Sequence, residues 1–265
     1  MLMHDPHNRQ GHLWLLAGTG EGPGLAHALL RQGWQVSVSV VTPGAAAAYR
    51  QLPLSHVWVG PLADVAAIRH RLATQRIDRV VDATHPFATV ISRQLVEACG
   101  ASAGCLVRFE RRLEPIAPAA APLHLIDNVR FLRAERLLLA LGARHLSAVV
   151  AALPPPPPQL FARVLPTPAG LRQARAAGIP PEQLALLRPL QSLAPARASG
   201  ALELALCRRW QITDVLCRQS GGASERCWHR VAEALGLRLW LLRRPAPPAG
   251  VSVVHSVEAL LAALA

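Results

Sequence analysis

Short apolar runs alternate with helical stretches along almost the whole chain, and this rhythm leaves few folds open. In the first hundred residues, runs at 12–17, 35–41, 56–60, 79–82 and 105–109 alternate with stretches at 21–32, 44–51, 63–74 and 87–99. The stretches are rich in Ala, Leu and Arg, with apolar residues three and four apart, the spacing of one helix face. Strands buried on both faces read as continuous apolar runs, and strands separated by helices build a parallel sheet. The pattern predicts a small doubly wound α/β domain.

Residues 115–122, Pro-Ile-Ala-Pro-Ala-Ala-Ala-Pro, carry no charge and no periodicity, and their prolines are incompatible with a helix. They are the linker candidate. Beyond them the rhythm resumes. Apolar runs at 137–141, 161–165, 184–187, 214–217, 237–242 and 251–254 alternate with helical stretches at 143–153, 168–177, 198–210, 223–235 and 258–265. Pro154–158 reads as an exposed polyproline turn. The expected layout is a loose tail at 1–11, an N-terminal α/β domain at 12–115 and a C-terminal one at 123–265. Two Rossmann-like domains with parallel sheets would place ligands in a cleft between the C-terminal ends of their sheets.

Composition narrows the class. Half of the 265 residues are hydrophobic, which excludes wholesale disorder. No apolar run of about 18 residues lacks a charge, so no membrane-spanning helix is expected. The start has no apolar core after a basic segment, and no signal peptide is expected there. The five cysteines, Cys99, Cys105, Cys207, Cys217 and Cys227, form no CxxC pair. Reduced thiols in a cytoplasm fit them better than disulfides or zinc, and no metal is expected. The formal charge of +12 comes from arginine alone, since the chain has no lysine. The arginines are spread along the chain and aromatics make up only 4%. That argues against nucleic acid, whose partners present basic stripes and stacking platforms. A polyanionic small molecule explains the charge equally well, because guanidinium pairs bidentately with carboxylate.

The strongest local motif is Leu13–Gly24, an apolar strand running into Gly18-Thr19-Gly20-Glu21-Gly22 and then a helix. Such a turn offers backbone N–H groups and a helix N-terminus to a phosphate. The glycine spacing departs from GxGxxG, and by itself the turn does not separate a dinucleotide from S-adenosylmethionine. No Asp or Glu occurs between Glu21 and Asp64. NAD sites usually place an acid about 20 residues past the turn for the ribose 2′-hydroxyl, so its absence favours NADP and disfavours S-adenosylmethionine. Thr42, at the end of the second strand, and Arg50 are candidates for the 2′-phosphate. Arg50 also reads as a solvated helix arginine.

The second motif is Asp82-Ala83-Thr84-His85-Pro86-Phe87-Ala88. A buried strand ends here, and Pro86 sits where a helix would begin. Asp82, Thr84 and His85 then lie at the sheet's C-terminal rim beside the glycine loop, as ligand contacts or as helix caps. The third is a strand at 214–217 followed by Arg218-Gln219-Ser220-Gly221-Gly222, a second glycine turn whose residues Ser220, Gly221 and Gly222 are candidates for cofactor contact.

Together these blocks resemble the precorrin-6A reductase family, in its cobalt-free and cobalt-containing versions. Gly18-Thr19-Gly20-Glu21 is similar to the family's Gly-Thr-x-Glu loop, and residues 82–88 to its distinctive Asp-Ala-Thr-His-Pro-Phe-Ala stretch. Arg108-Phe-Glu-Arg111 is similar to an Arg-x-Glu-Arg that comes after it. Arg163-Val-Leu-Pro166, Ser220-Gly-Gly222 and Arg244-Pro245 are similar to shorter motifs. Lysines usual in the family before Ser-Gly-Gly and in the helix after it are absent here. Arg218 can stand in as a fixed charge but not as a proton donor.

The resemblance implies a cytoplasmic enzyme of cobalamin biosynthesis. It would take hydride from NADPH and reduce one double bond of an anionic tetrapyrrole macrocycle. The substrate's acetate and propionate arms would give Arg108, Arg111 and Arg218 a purpose. Reduction also needs a proton, from a side chain or from solvent. His85, with Thr84 and Asp82 beside it, is the titratable candidate. The competing readings are another NADP-dependent reductase or epimerase on a related fold, and a basic nucleotide-binding module without catalysis.

Overall fold

The computed structural model describes residues 10–100, 104–115, 122–188 and 200–265. The chain divides into two units, one of Met1–Arg111 with Pro245–Ala265, the other of Arg112–Arg244.

The first unit is built on a six-stranded sheet, all of whose pairings are parallel. Its strands are β1 (His12–Ala17), β2 (Gln35–Val40), β3 (His56–Val59), β4 (Arg79–Ala83), β5 (Leu106–Phe109) and β12 (Ser252–Val254). Their order is β12-β5-β4-β1-β2-β3, so the order in which strands are added reverses between β1 and β4. Helices α1 (Gly22–Arg31), α2 (Pro43–Ala46), α3 (Val65–Thr74), α4 (Thr89–Cys99) and α9 (Val257–Leu264) accompany it. Alternation along β1 shows why the strand has no polar face. Leu13, Leu15 and Ala17 pack with Leu25 and Leu29 of α1 and Leu260 and Leu264 of α9. Trp14 and Leu16 pack with Ile68 of α3 and Leu95 of α4. Both faces are covered, and every β1 residue is buried.

The second unit repeats the plan. Its strands are β6 (Leu123–Ile126), β7 (Arg136–Ala140), β8 (Gln159–Val164), β9 (Leu184–Leu186), β10 (Asp214–Arg218) and β11 (Arg238–Leu242). They lie in the order β6-β11-β10-β7-β8-β9, again all parallel, with the reversal between β7 and β10. One face carries α5 (Leu146–Ala152) and α6 (Pro168–Ala176) through Leu146 and Ala174. The other carries α7 (Ala201–Arg209) and α8 (Ala223–Leu235) through Cys207, Trp228 and Val231. Cys207, Cys217 and Cys227, ten residues apart in sequence, meet in this apolar cluster. Burial pushes the Cys207 and Cys227 thiols up to about 12 and about 11.

Three features differ from the sequence reading. The boundary expected at 123–265 gives way to a return of the chain. β12 pairs with β5, and α9 packs into the first unit, because the strand expected at 251–254 completes the first sheet. Glu110 N–H donates to the Val254 carbonyl at 2.9 Å, and the His255 ring Nδ1–H donates to the Glu110 carbonyl at 2.9 Å. The edge slot of the second sheet is filled by β6, which carried no strand expectation. Finally, α4 begins at Thr89, one turn beyond Pro86. Most of the expected tail and linker, and the first residues of the stretch at 198–210, lie outside the described residues.

Candidate functional site

The reversal between β1 and β4 sets two strand ends side by side at the C-terminal rim of the first sheet, where doubly wound folds bind ligands. Gly18 N–H donates to the Ala83 carbonyl at 3.3 Å. A Cβ on Gly18 would lie 3.0 Å from the His85 backbone nitrogen and 3.1 Å from the Thr84 Cα. Glycine is therefore needed here for close approach of the two loops. At Gly22, the first residue of α1, an added Cβ would lie 2.0 Å from the Tyr49 hydroxyl oxygen. Tyr49 is buried, which pushes its phenol up to about 12, and it packs the α2 segment against the glycine loop.

Between these glycines, the N–H groups of Thr19 and Gly20 meet no acceptor among the described residues. No acidic side chain stands in the first turn of α1. Glu21, at the N-cap, makes an ion pair with Arg111 Nε at 2.8 Å. With Glu21 paired to Arg111, the loop presents backbone donors at a helix N-terminus, the arrangement that holds a phosphate.

At the end of β4, the sequence-expected residues come together in a different way. Asp82 is 2% exposed. Its Oδ1 accepts from the Thr84 N–H at 3.1 Å and the Thr84 hydroxyl at 2.6 Å. Its Oδ2 accepts from Arg108 Nη1, which also donates to Ser92 Oγ at 2.7 Å. Arg108 Nε donates to Glu110 Oε1 at 2.6 Å, and Arg108 is itself 2% exposed. Arg108, expected at a carboxylate of the substrate, is thus turned towards carboxylates of the chain itself. Two of the chain's own carboxylates already take its charge. It lines a cavity of about 150 Å³ with Pro86, Thr89, Arg93 and Pro247. Glu110 and Ser92 were not foreseen. The Arg108-x-Glu110 spacing was the available signal, since residues i and i+2 of a strand share a face.

His85 is half-buried at the rim. Its Nδ1 accepts from the Phe87 N–H at 3.2 Å, which fixes the proton of the neutral ring on Nε2. Neither Asp82 nor Thr84 caps α4, whose N-cap is Ala88. Thr42 caps α2, accepting from the Ala45 N–H at 3.2 Å, and Arg50 is exposed.

The second glycine turn, Ser220–Gly222, is closed by the chain itself. Gly221 N–H donates to Glu225 Oε2 at 2.6 Å, and Gly222 N–H donates to Glu114 Oε1 at 2.7 Å. Glu114 also pairs with Arg226 at 2.6 Å. Donors that the sequence assigned to a cofactor are engaged by carboxylates, which would repel a phosphate. Among the described residues, no group of His, Cys, Asp and Glu is placed to hold a metal, and no helix is long and apolar enough to cross a membrane.

Residues 12–265 match the model of the precorrin-6x reductase family, CbiJ/CobK. The chain belongs to this family. Among relatives of the precorrin-6x reductase family, the cobalt-precorrin-6A reductase of Synechocystis is 34% identical over 242 residues, 88% of each chain. The precorrin-6A reductase of Rhodobacter capsulatus is 31% identical over 242 residues, 89% of each. The solved structure of a CobK precorrin-6A reductase superposes with a TM-score of 0.73 at 27% identity, covering 95% of both chains. The two six-stranded parallel sheets described here thus share the fold of that solved structure.

Proposed function

We propose that this chain uses NADPH to reduce one double bond of precorrin-6A, or of cobalt-precorrin-6A, giving precorrin-6B or its cobalt form in cobalamin biosynthesis. Its membership of a reductase family supports the reaction class. The single observation that carries the cofactor reading is the loop Gly18–Gly22, where the Thr19 and Gly20 N–H groups meet no acceptor among the described residues and no acid stands in the first turn of the helix behind it. The reading puts the pyrophosphate on this loop and not on the closed turn at Ser220–Gly222.

The preference for NADPH rests on the segment after β2. From Gly22 to Ala63 there is no carboxylate to accept a ribose 2′-hydroxyl or to repel a 2′-phosphate. Thr42 and the exposed Arg50 supply a hydroxyl and a positive charge there. When bound, NADPH supplies the hydride. The chain's part is to hold and orient both partners and to exclude water. Thr84 is fixed by Asp82, which is fixed in turn by Arg108, so the rim beside the glycine loop is rigid. His85 in its neutral form carries its ring proton on Nε2, because its Nδ1 accepts from the Phe87 N–H. That arrangement suits positioning of a polar substrate group, and the proton of the reduction then comes from solvent. A cytoplasmic location fits the free thiols of all five cysteines.

A fluorescence titration and an absorbance assay test the reading together. NADPH is expected to bind at least tenfold more tightly than NADH, and Gly20→Asp to weaken both by putting a carboxylate where phosphate approaches. Purified protein with NADPH should change the spectrum of precorrin-6A or of its cobalt form. Equal or tighter NADH binding would overturn the NADPH assignment, and no spectral change with either macrocycle would overturn the reaction.

A further inference from the structure

The helix that starts at the first glycine loop spends or lacks some of the donors a helix start usually offers. Gly22 N–H turns back to the Thr19 carbonyl at 3.3 Å, and Pro23, in the first turn of α1, has no N–H to give. A side chain from another part of the first unit brings a donor to the same place.

Tyr49 ends the 3₁₀ turn Ala47–Tyr49, in the connection between β2 and β3. It is 3% exposed and packs in one cluster with Ala17, Val38 and Val40. A Cβ on Gly22 would lie 2.0 Å from the Tyr49 hydroxyl oxygen, 3.3 Å from its Cζ and 3.0 Å from the Ala17 Cβ. The hydroxyl therefore fills the space that a side chain at position 22 would need, where β1 ends and α1 begins. Among the described residues it makes no hydrogen bond. Buried tyrosine hydroxyls ordinarily find a partner, so one left without points to a group that arrives with a ligand. Burial pushes the phenol up to about 12, so it keeps its proton and stays a donor.

We infer that the Tyr49 hydroxyl is a further cofactor contact, donating to a diphosphate oxygen at the start of α1. This rests on the reading in which the loop Gly18–Gly22 holds NADPH. A hydroxyl donating to an ionised oxygen makes a short, charge-assisted bond. In dinucleotide folds the diphosphate lies at the first strand-to-helix turn, whereas the ribose 2′ position is met past the second strand. The Tyr49 hydroxyl stands at the first of these places, which assigns it to the diphosphate and not to the 2′-phosphate. Gly22 then has its own part in the site, because any side chain there would displace the donor.

Tyr49→Phe keeps the ring and removes the donor. Calorimetric titrations with NADPH, NADH and ADP-ribose, which carries the diphosphate without nicotinamide, read the effect. All three are expected to bind about tenfold more weakly to Tyr49→Phe than to wild type. Thermal unfolding of the cofactor-free protein should stay where it is or move up, since the variant no longer buries an unpaired hydroxyl. A loss for NADPH alone would put the hydroxyl on the 2′-phosphate and overturn the diphosphate contact. Affinities equal to wild type for all three would overturn the contact and leave the cofactor reading intact, whether or not the free protein unfolds earlier. Wild type that binds ADP-ribose but neither nicotinamide nucleotide, with ADP-ribose weakened in Tyr49→Phe, would sink the NADPH reading and leave the hydroxyl on a diphosphate. Wild type that binds none of the three would sink both.

Discussion

The ring of His85 shows how much depends on one hydrogen bond. Its Nδ1 accepts from the Phe87 N–H, and an imidazolium would have to give that bond up, since both its nitrogens are donors. His85→Ala is therefore expected to lower turnover at least tenfold with a small loss of thermal stability. His85→Gln, which can present an amide N–H, should recover much of it. Turnover that falls steeply above neutral pH in wild type, and is lost equally in Ala and Gln, would make the residue an acid after all. Arg108 calls for the opposite pattern. Removing it takes the paired guanidinium from Asp82 and Glu110, both at or below 5% exposure, and removing one partner of a buried ion pair costs about 3–5 kcal/mol. Arg108→Ala should appear first in thermal unfolding. Full stability with a loss confined to macrocycle affinity would restore it as a direct substrate contact. The motif Asp-Ala-Thr-His-Pro-Phe-Ala was legible as a site because a polar cluster ends a buried strand. The inward turn of Arg108 was not, because an arginine on a strand reads the same whether its fork meets solvent or a neighbour's carboxylate.

At the scale of elements, the two strand–glycine–helix units read alike in sequence and differ in structure. Both have a buried strand, small residues and an amphipathic helix, and sequence alone offered both to a cofactor. What separates them is whether carboxylates reach the N–H groups of the turn. α1 has no acid in its first turn, while α8 carries Glu225 and its turn also receives Glu114 from more than a hundred residues upstream. Glu225 was visible locally; the long-range partner was not. Glu225→Ala should leave the buried Gly221 N–H without that acceptor and cost about 1–3 kcal/mol in chemical unfolding. NADPH affinity should stay within twofold of wild type if the pyrophosphate sits on the first loop. A tenfold change in that affinity, up or down, would return the second turn to the cofactor site. Most strands were found because burial on both faces makes them continuous apolar runs. β6 escaped because Leu123-His-Leu-Ile126 is a short edge strand with one exposed polar residue, directly after proline.

In the molecule as a whole, both sheets use the order 3-2-1-4-5-6 counted from their own first central strand, yet neither takes its sixth strand from the expected place. The strand next after β5 in sequence, β6, joins the second sheet, and the final strand, β12, closes the first. Periodicity located the strand near 251–254, but pairing partners are long-range choices that periodicity does not encode. The consequence is that the first unit depends on the end of the chain. Val254, Leu260 and Leu264 are at most 9% exposed and belong to the cluster that holds β1 and α1. At about 1.5–3 kcal/mol for each buried apolar side chain, their loss removes roughly 5–9 kcal/mol, against a typical domain stability of about 5–15 kcal/mol. A chain cut after Arg244 is therefore expected to lose the first unit and keep the second. Hydrogen exchange should show protection lost from β1, β2 and β4 and retained in β7, β10 and β11, with NADPH binding abolished. Equal loss of protection in both sheets would mean that the two units fold as one cooperative body. Retained protection in β1 would mean that the returning strand and helix are dispensable to the core they cover.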